Sequence, residues 1–221
     1  MGVDERGQEK STDADVMKLT DQTVAAFVAA LRSPSPTPGG GSASALAGAL
    51  GAALLGMIAS MPKHRATSDA DEQRLRTAGR RCSEAADRLL ELVNRDSEAY
   101  EQVMAAYRLP KASDAEKAER SARIQDALRA AIDAPLDVVR TSAGALEHGT
   151  SVAALGNPNA ASDAGVALEL LGAAVRGAGL NVQINLASIK DARYAEDVRD
   201  QLSTQLRECE AAIESARTHL T

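Results

Sequence analysis

Between Ala45 and Ala59 the chain carries no polar side chain, and most of that run is Ala and Gly. A helix of such residues has little bulk of its own, so its stability must come from other elements packed closely against it. The run is shorter than the ~20 apolar residues needed to cross a bilayer, which makes it a buried core helix rather than a membrane span. Gly48, Gly51 and Gly56 would each weaken an isolated helix, and tight helix-helix contact explains them. A second stretch of the same character, with Gly165, Gly172, Gly177 and Gly179, lies in the C-terminal half.

Composition points the same way. Hydrophobic residues make up 44% of the 221 residues, but aromatic ones only 2%, with no Trp and one Phe. A core of Ala, Leu, Val and Gly suits close-packed helices better than a sandwich of sheets. No segment alternates with period two for long enough to require a strand. The expected class is all-α, an antiparallel helical bundle around the two Ala/Gly-rich buried helices. Residues 1–17 are charged and lack the apolar run of a secretory signal, so they are expected to be a disordered tail before one helical domain over residues 18–221.

Charge and special residues exclude several functions. The net charge is -6 and no basic stripe is interleaved with aromatics, which argues against nucleic acid as a partner. Cys82 and Cys209 lie far apart on apolar helical positions, as reduced thiols of a cytoplasmic protein would. His64, His148 and His219 are isolated, so no metal site is expected.

Along the chain, Thr20 is expected to cap a first helix carrying Val24, Phe27, Val28 and Leu31, which the prolines at 34, 36 and 38 end. The second helix is expected from Ser42, as N-cap, to Met61. A third spans Asp69 to Tyr107, with Leu75, Cys82, Leu89, Asp96 and Val103 in one row of sevens and Ala78, Ala85, Leu92, Ala99 and Ala106 in its partner. Ser113 and Glu116 form a capping box that starts a fourth helix, expected to reach Glu147 with a kink at Pro135. A glycine-rich fifth helix follows, with Ser162 and Asp163 as its cap. Beyond Ser188 a sixth buries Val198, Leu202, Cys209, Ile213 and Ala216.

Several residues on this scaffold can carry chemistry. In Pro38-Gly39-Gly40-Gly41-Ser42 the glycines let the backbone approach a ligand, and a helix N-terminus would favour a carboxylate or phosphate; a plain turn with a cap is the other reading. Asp96 is the one charge in the two core rows. It is either an acid-base group with a raised pKa or half of a salt bridge between helices. Tyr100, one turn on, would lie beside it as a core ring or a ligand contact. Lys111, after Pro110, either points an ammonium at a pocket or is solvated. Asn181 and Asn185 stand one turn apart on an apolar helix, where their amides need either inter-helix or ligand partners.

Taken together, Pro36-Thr37-Pro38-Gly39-Gly40-Gly41-Ser42, Asp96-x-x-x-Tyr100, Arg108-Leu109-Pro110-Lys111, Asn157 to Val166 and Asn181-Val182-Gln183-Ile184-Asn185 resemble the cyclodeaminase/cyclohydrolase family, in the right order from about Val24 to near the C-terminus. The resemblance implies a homodimer acting on a tetrahydrofolate derivative, polyglutamylated or not, with no cofactor beyond that substrate. The pocket is expected to draw on both chains. The resemblance implies catalytic roles for Asp96 as proton shuttle and Lys111 as its electrostatic partner or acid, with Asp163 in reserve. Substrate contacts are expected from Pro38, Gly39, Gly40, Gly41, Ser42, Lys63, Tyr100, Arg108, Asn157, Asn159, Asn181 and Asn185. Many relatives carry a Gly-Lys-Lys-Lys-like run after the second helix; here Met61-Pro62-Lys63-His64-Arg65 stands there, with Lys63 and Arg65 as substitutes. The implied reaction is hydrolysis of the methenyl bridge, or deaminative closure of a formimino group.

Overall fold

The computed structural model describes residues 18–220, so the tail expected over residues 1–17 lies outside the described residues. Six α-helices follow in order among these residues: α1 (Val24–Leu31), α2 (Gly40–Ser60), α3 (Asp69–Tyr107), α4 (Asp114–Leu155), α5 (Ala161–Leu186) and α6 (Ala192–Arg217). Short 3₁₀ turns at Leu19–Asp21 and Pro158–Ala160 complete the elements, and no strand occurs among the described residues.

Helices α2, α3, α4 and α5 form a ring, with α2 and α4 also meeting across it, and α6 lies against α4 and α5. Helix α2 runs antiparallel to α3, since Ser42 meets Val93 at one end and Gly56 meets Gly79 and Ser83 near the other. It is also antiparallel to α5, with Gly40 beside Asn181 and Gly51 beside Ala167 and Leu171. At Gly51 the helices approach closely: a Cβ there would sit 2.8 Å from the Ala167 carbonyl oxygen and 2.9 Å from the Leu171 side chain. The inner faces of α2 and α5 are buried, including Ala45, Ala52, Leu55, Leu168, Leu171 and Val175. Their outer faces are apolar as well, with Leu50, Met57, Val166, Leu180 and Ile184 exposed. Arg88 and Arg95 of α3 clasp Asp137 of α4, the latter at 2.8 Å.

Local boundaries depart from the sequence expectations in four places. Thr23, not Thr20, caps α1, because its Oγ1 accepts from Ala26 N–H at 3.1 Å while Leu19–Asp21 is turned against α3 by Asn94. Helix α2 begins three residues earlier than expected, with Gly39 rather than Ser42 as N-cap, which moves Ser42 into the first turn. Helix α4 runs through Pro135 and on to Leu155 rather than ending at Glu147; Gly149 is kept within it because Leu55 occupies the space a Cβ would fill. Asp163 lies in the first turn of α5 without capping it, since the chain enters through the Pro158–Ala160 turn and Ala160 is the N-cap. The Ser113–Glu116 capping box and the buried row of α6 are as expected.

Candidate active site

Asp96 sits where α3 passes the first turn of α2. The Ser42 backbone N–H donates to its Oδ2 at 3.0 Å, and the Ser42 hydroxyl lies 3.4 Å from the same oxygen while donating to Val93 O at 2.8 Å. Gly41 makes this seat possible, because a Cβ there would overlap the Asp96 carboxylate. No Lys, Arg or His among the described residues pairs with Asp96, so the inter-helix salt bridge is not what holds it. Burial pushes its pKa above the usual carboxylate range, and the Ser42 N–H and hydroxyl oppose part of that rise. A half-buried carboxylate whose pKa is raised in this way is suited to accepting and returning a proton.

The same corner gathers several other expected residues. Pro38 is buried, Gly40 lies beside the Asn181 amide, and Tyr100 follows Asp96 one turn along α3, half-buried. Asn181 donates to Gly177 O at 3.0 Å within α5, whereas Asn185 donates to Ala131 O on α4 at 2.8 Å. Each Asn therefore uses one of its two N–H donors inside the protein, and its carbonyl oxygen accepts no hydrogen bond among the described residues. Ser97, which sequence reasoning missed, places its Oγ 3.4 Å from the Ser42 hydroxyl. A lone serine beside an aspartate gives no local signal, and its partner lies 55 positions away.

Other expected residues stand elsewhere within one chain. Lys63, Asn157, Asn159 and Asp163 cluster at the far end of α2, where Asn157 donates to Pro62 O at 2.6 Å and accepts from Asn159 N–H at 2.9 Å. The 21 residues of α2 put that end about 30 Å from Gly40. Lys63 is exposed with φ 61°, and Asp163 and Asn159 are exposed too. Arg108 and Lys111 lie at the α3-α4 turn, beyond the end of a helix that rises about 16 Å from Asp96 to Tyr107. Lys111 does not meet Asp96 across that span. Among the described residues no three His, Cys, Asp or Glu side chains converge as metal ligands would.

Fold and site together define an all-helical protein with a half-buried carboxylate held on the first turn of a glycine-rich helix. The sequence profile of the family described as Formiminotransferase-cyclodeaminase matches residues 23–204, and the chain belongs to that family. It is 38% identical over 194 residues to the methenyltetrahydrofolate cyclohydrolase of Methylorubrum extorquens, covering 88% of this chain and 93% of that protein. It is 34% identical to the formimidoyltransferase-cyclodeaminase of Rattus norvegicus, matching 86% of this chain but only 35% of that longer protein. The crystal structure of a formiminotetrahydrofolate cyclodeaminase from Thermotoga maritima superposes with a TM-score of 0.72 at 31% identity, covering 90% of this chain and 93% of that one.

Proposed function

We propose that this chain hydrolyses 5,10-methenyltetrahydrofolate to 10-formyltetrahydrofolate. The observation that carries the reading is Asp96, a carboxylate with no cation partner among the described residues and a raised pKa, held on the first turn of α2. The likeness to a cyclohydrolase along nearly the whole of both chains supports the choice of substrate. In the first step water attacks the carbon bridging N5 and N10, and Asp96 takes one of its protons. The tetrahedral carbon then has three electronegative neighbours. Asp96 returns the proton to N5 as the C–N5 bond breaks, and the remaining hydroxyl proton leaves to solvent as the formyl C=O forms. One carboxylate can serve both halves because burial raises its pKa, which makes it a stronger base than a free aspartate and lets it hold the proton it must return.

A second reading is favoured by the Thermotoga maritima structure, named as a cyclodeaminase. There N10 of a formimino substrate would attack the formimino carbon on N5, and Asp96 would protonate the departing ammonia. Purified protein offered each substrate separately tests both readings. Loss of the methenyl chromophore faster than the uncatalysed rate supports the cyclohydrolase, gain of it from the formimino compound supports the cyclodeaminase, and neither change sinks both.

Assembly belongs to the same proposal. The exposed stripes Leu50-Met57 on α2 and Val166-Leu180-Ile184 on α5 lie on neighbouring helices and form one apolar face, of the kind a soluble protein covers with a partner. A second copy paired antiparallel on this face would bring its Lys63, Asn157 and Asp163 end to the Asp96 end of the first. The residues that one chain keeps about 30 Å apart would then share a pocket in a cytoplasmic homodimer.

A further inference from the structure

The first turn of α2 is a poor place for the anionic end of a folate. Its Ser42 N–H is already given to Asp96, and a second carboxylate there would lie against the first. With the reacting carbon at Asp96, the glutamate end of the substrate must be received somewhere else.

The opposite direction along α3 offers such a place. Helix α2 begins level with Asp96, so beyond that point it no longer covers α3. Among the described residues the elements that pack along α3 are α2, α4 and the Leu19–Asp21 turn; the turn is fixed at Asn94 and, with Pro38, borders Ser97, Glu98 and Glu101, on the face of α3 next to that of Tyr100 and Met104. Tyr100, Met104 and Tyr107 follow Asp96 at helical spacing on this stretch, which α2 does not cover; the first two are half-buried and Tyr107 is 45% exposed. The lane is about 16 Å long and ends at Arg108 and Lys111, both exposed. Several neighbouring charges at this tip are already engaged: Lys117 with Asp114 at 2.9 Å, Arg120 with Tyr107 O at 2.9 Å, and Glu116 with the Ala112 and Ser113 N–H groups. Arg108 and Lys111 form no ion pair among the described residues.

We propose that the lane holds the p-aminobenzoylglutamate arm of the substrate, with the aryl ring against Tyr100 and Met104 and the glutamate carboxylates at Arg108 and Lys111. The inference rests on the folate reading of Asp96 and changes the part Lys111 plays. It becomes an anchor for a carboxylate rather than a proton donor at the reacting carbon. Longer, polyglutamylated tails would extend past the same two cations.

The test compares methenyltetrahydrofolate with methenyltetrahydropteroate, which has the same pterin and aryl ring but no glutamate. In the unmodified protein kcat/KM should favour the tailed substrate. The Arg108→Ala/Lys111→Ala double variant should lower kcat/KM for the tailed substrate by about 10- to 100-fold, the scale of lost charge-assisted hydrogen bonds, and collapse the ratio of the two substrates toward unity. Arg108→Lys/Lys111→Arg, which keeps both charges, should restore most of the ratio. A fall of equal size for both substrates, as a proton donor at position 111 would give, overturns the proposal, and so does an unchanged ratio. Absence of turnover of either compound by the unmodified protein removes the folate reading itself, and this inference with it.

Discussion

Asp96 is expensive to ionise where it sits, and that fixes how the protein should respond to pH. Its folded pKa is raised by burial, so the protonated form favours the fold. That contribution is fully present below the ordinary aspartate pKa and is lost as pH rises through the raised one. Asp96→Asn removes the charge but keeps an oxygen that can accept from Ser42 N–H. The variant should therefore melt no lower than the unmodified protein at neutral pH, with the two melting curves converging in acid. A clearly lower melting temperature for the Asn variant at pH 7 would mean that a cation pairs with Asp96 after all. Catalysis has the opposite sign: kcat/KM should climb as pH rises through the raised Asp96 pKa, because the proton-accepting form is the ionised one. Gly41→Ala pushes a methyl group into the carboxylate, so it should lower kcat by at least about 10-fold while leaving the helical circular dichroism unchanged. Sequence alone exposed Asp96, since one charge in two apolar rows is visible without a structure. It could not expose the seat, because Ser42 and Gly41 are more than 50 positions away, one holding it through a backbone N–H and the other by lacking a side chain.

At the level of elements, α3 and the core row of α6 were legible because long apolar periodicity leaves few alternatives. The start of α2 was not, because a glycine N-cap has no side chain to announce it and Ser42 offered a more familiar signal. The order of motifs was also readable, but their distances were not. Asn157 and Asn181 lie on neighbouring stretches of sequence, yet α5 carries them to opposite ends of the bundle. The contact between α2 and α5 depends on the absence of bulk at Gly51, where a side chain would meet both the Ala167 carbonyl and Leu171. Gly51→Val should overpack that contact and destabilise the fold by about 1–3 kcal/mol, measured by urea unfolding. An unaltered midpoint would show that the two helices part easily, and would weaken the case that their shared face is a rigid platform.

For the whole molecule, the apolar outer face of α2 and α5 is exposed among the described residues. Leu50→Glu combined with Ile184→Glu places like charges on that face, 52% and 70% exposed in one chain, where they should be tolerated by the fold. Light scattering should then report a monomer in place of a dimer, with turnover lost alongside, since each pocket would lack its second end. A fully active monomer would contradict the shared pocket. The account turns most of all on Asp96 acting as the proton carrier in methenyl hydrolysis, and one preparation of Asp96→Asn decides it. Decay of the methenyl chromophore, substrate affinity and melting temperature are measured beside the unmodified protein, with the uncatalysed rate subtracted. The prediction is a turnover lower by about 100-fold or more, with affinity and fold retained; near-normal turnover in the folded Asn variant would contradict it.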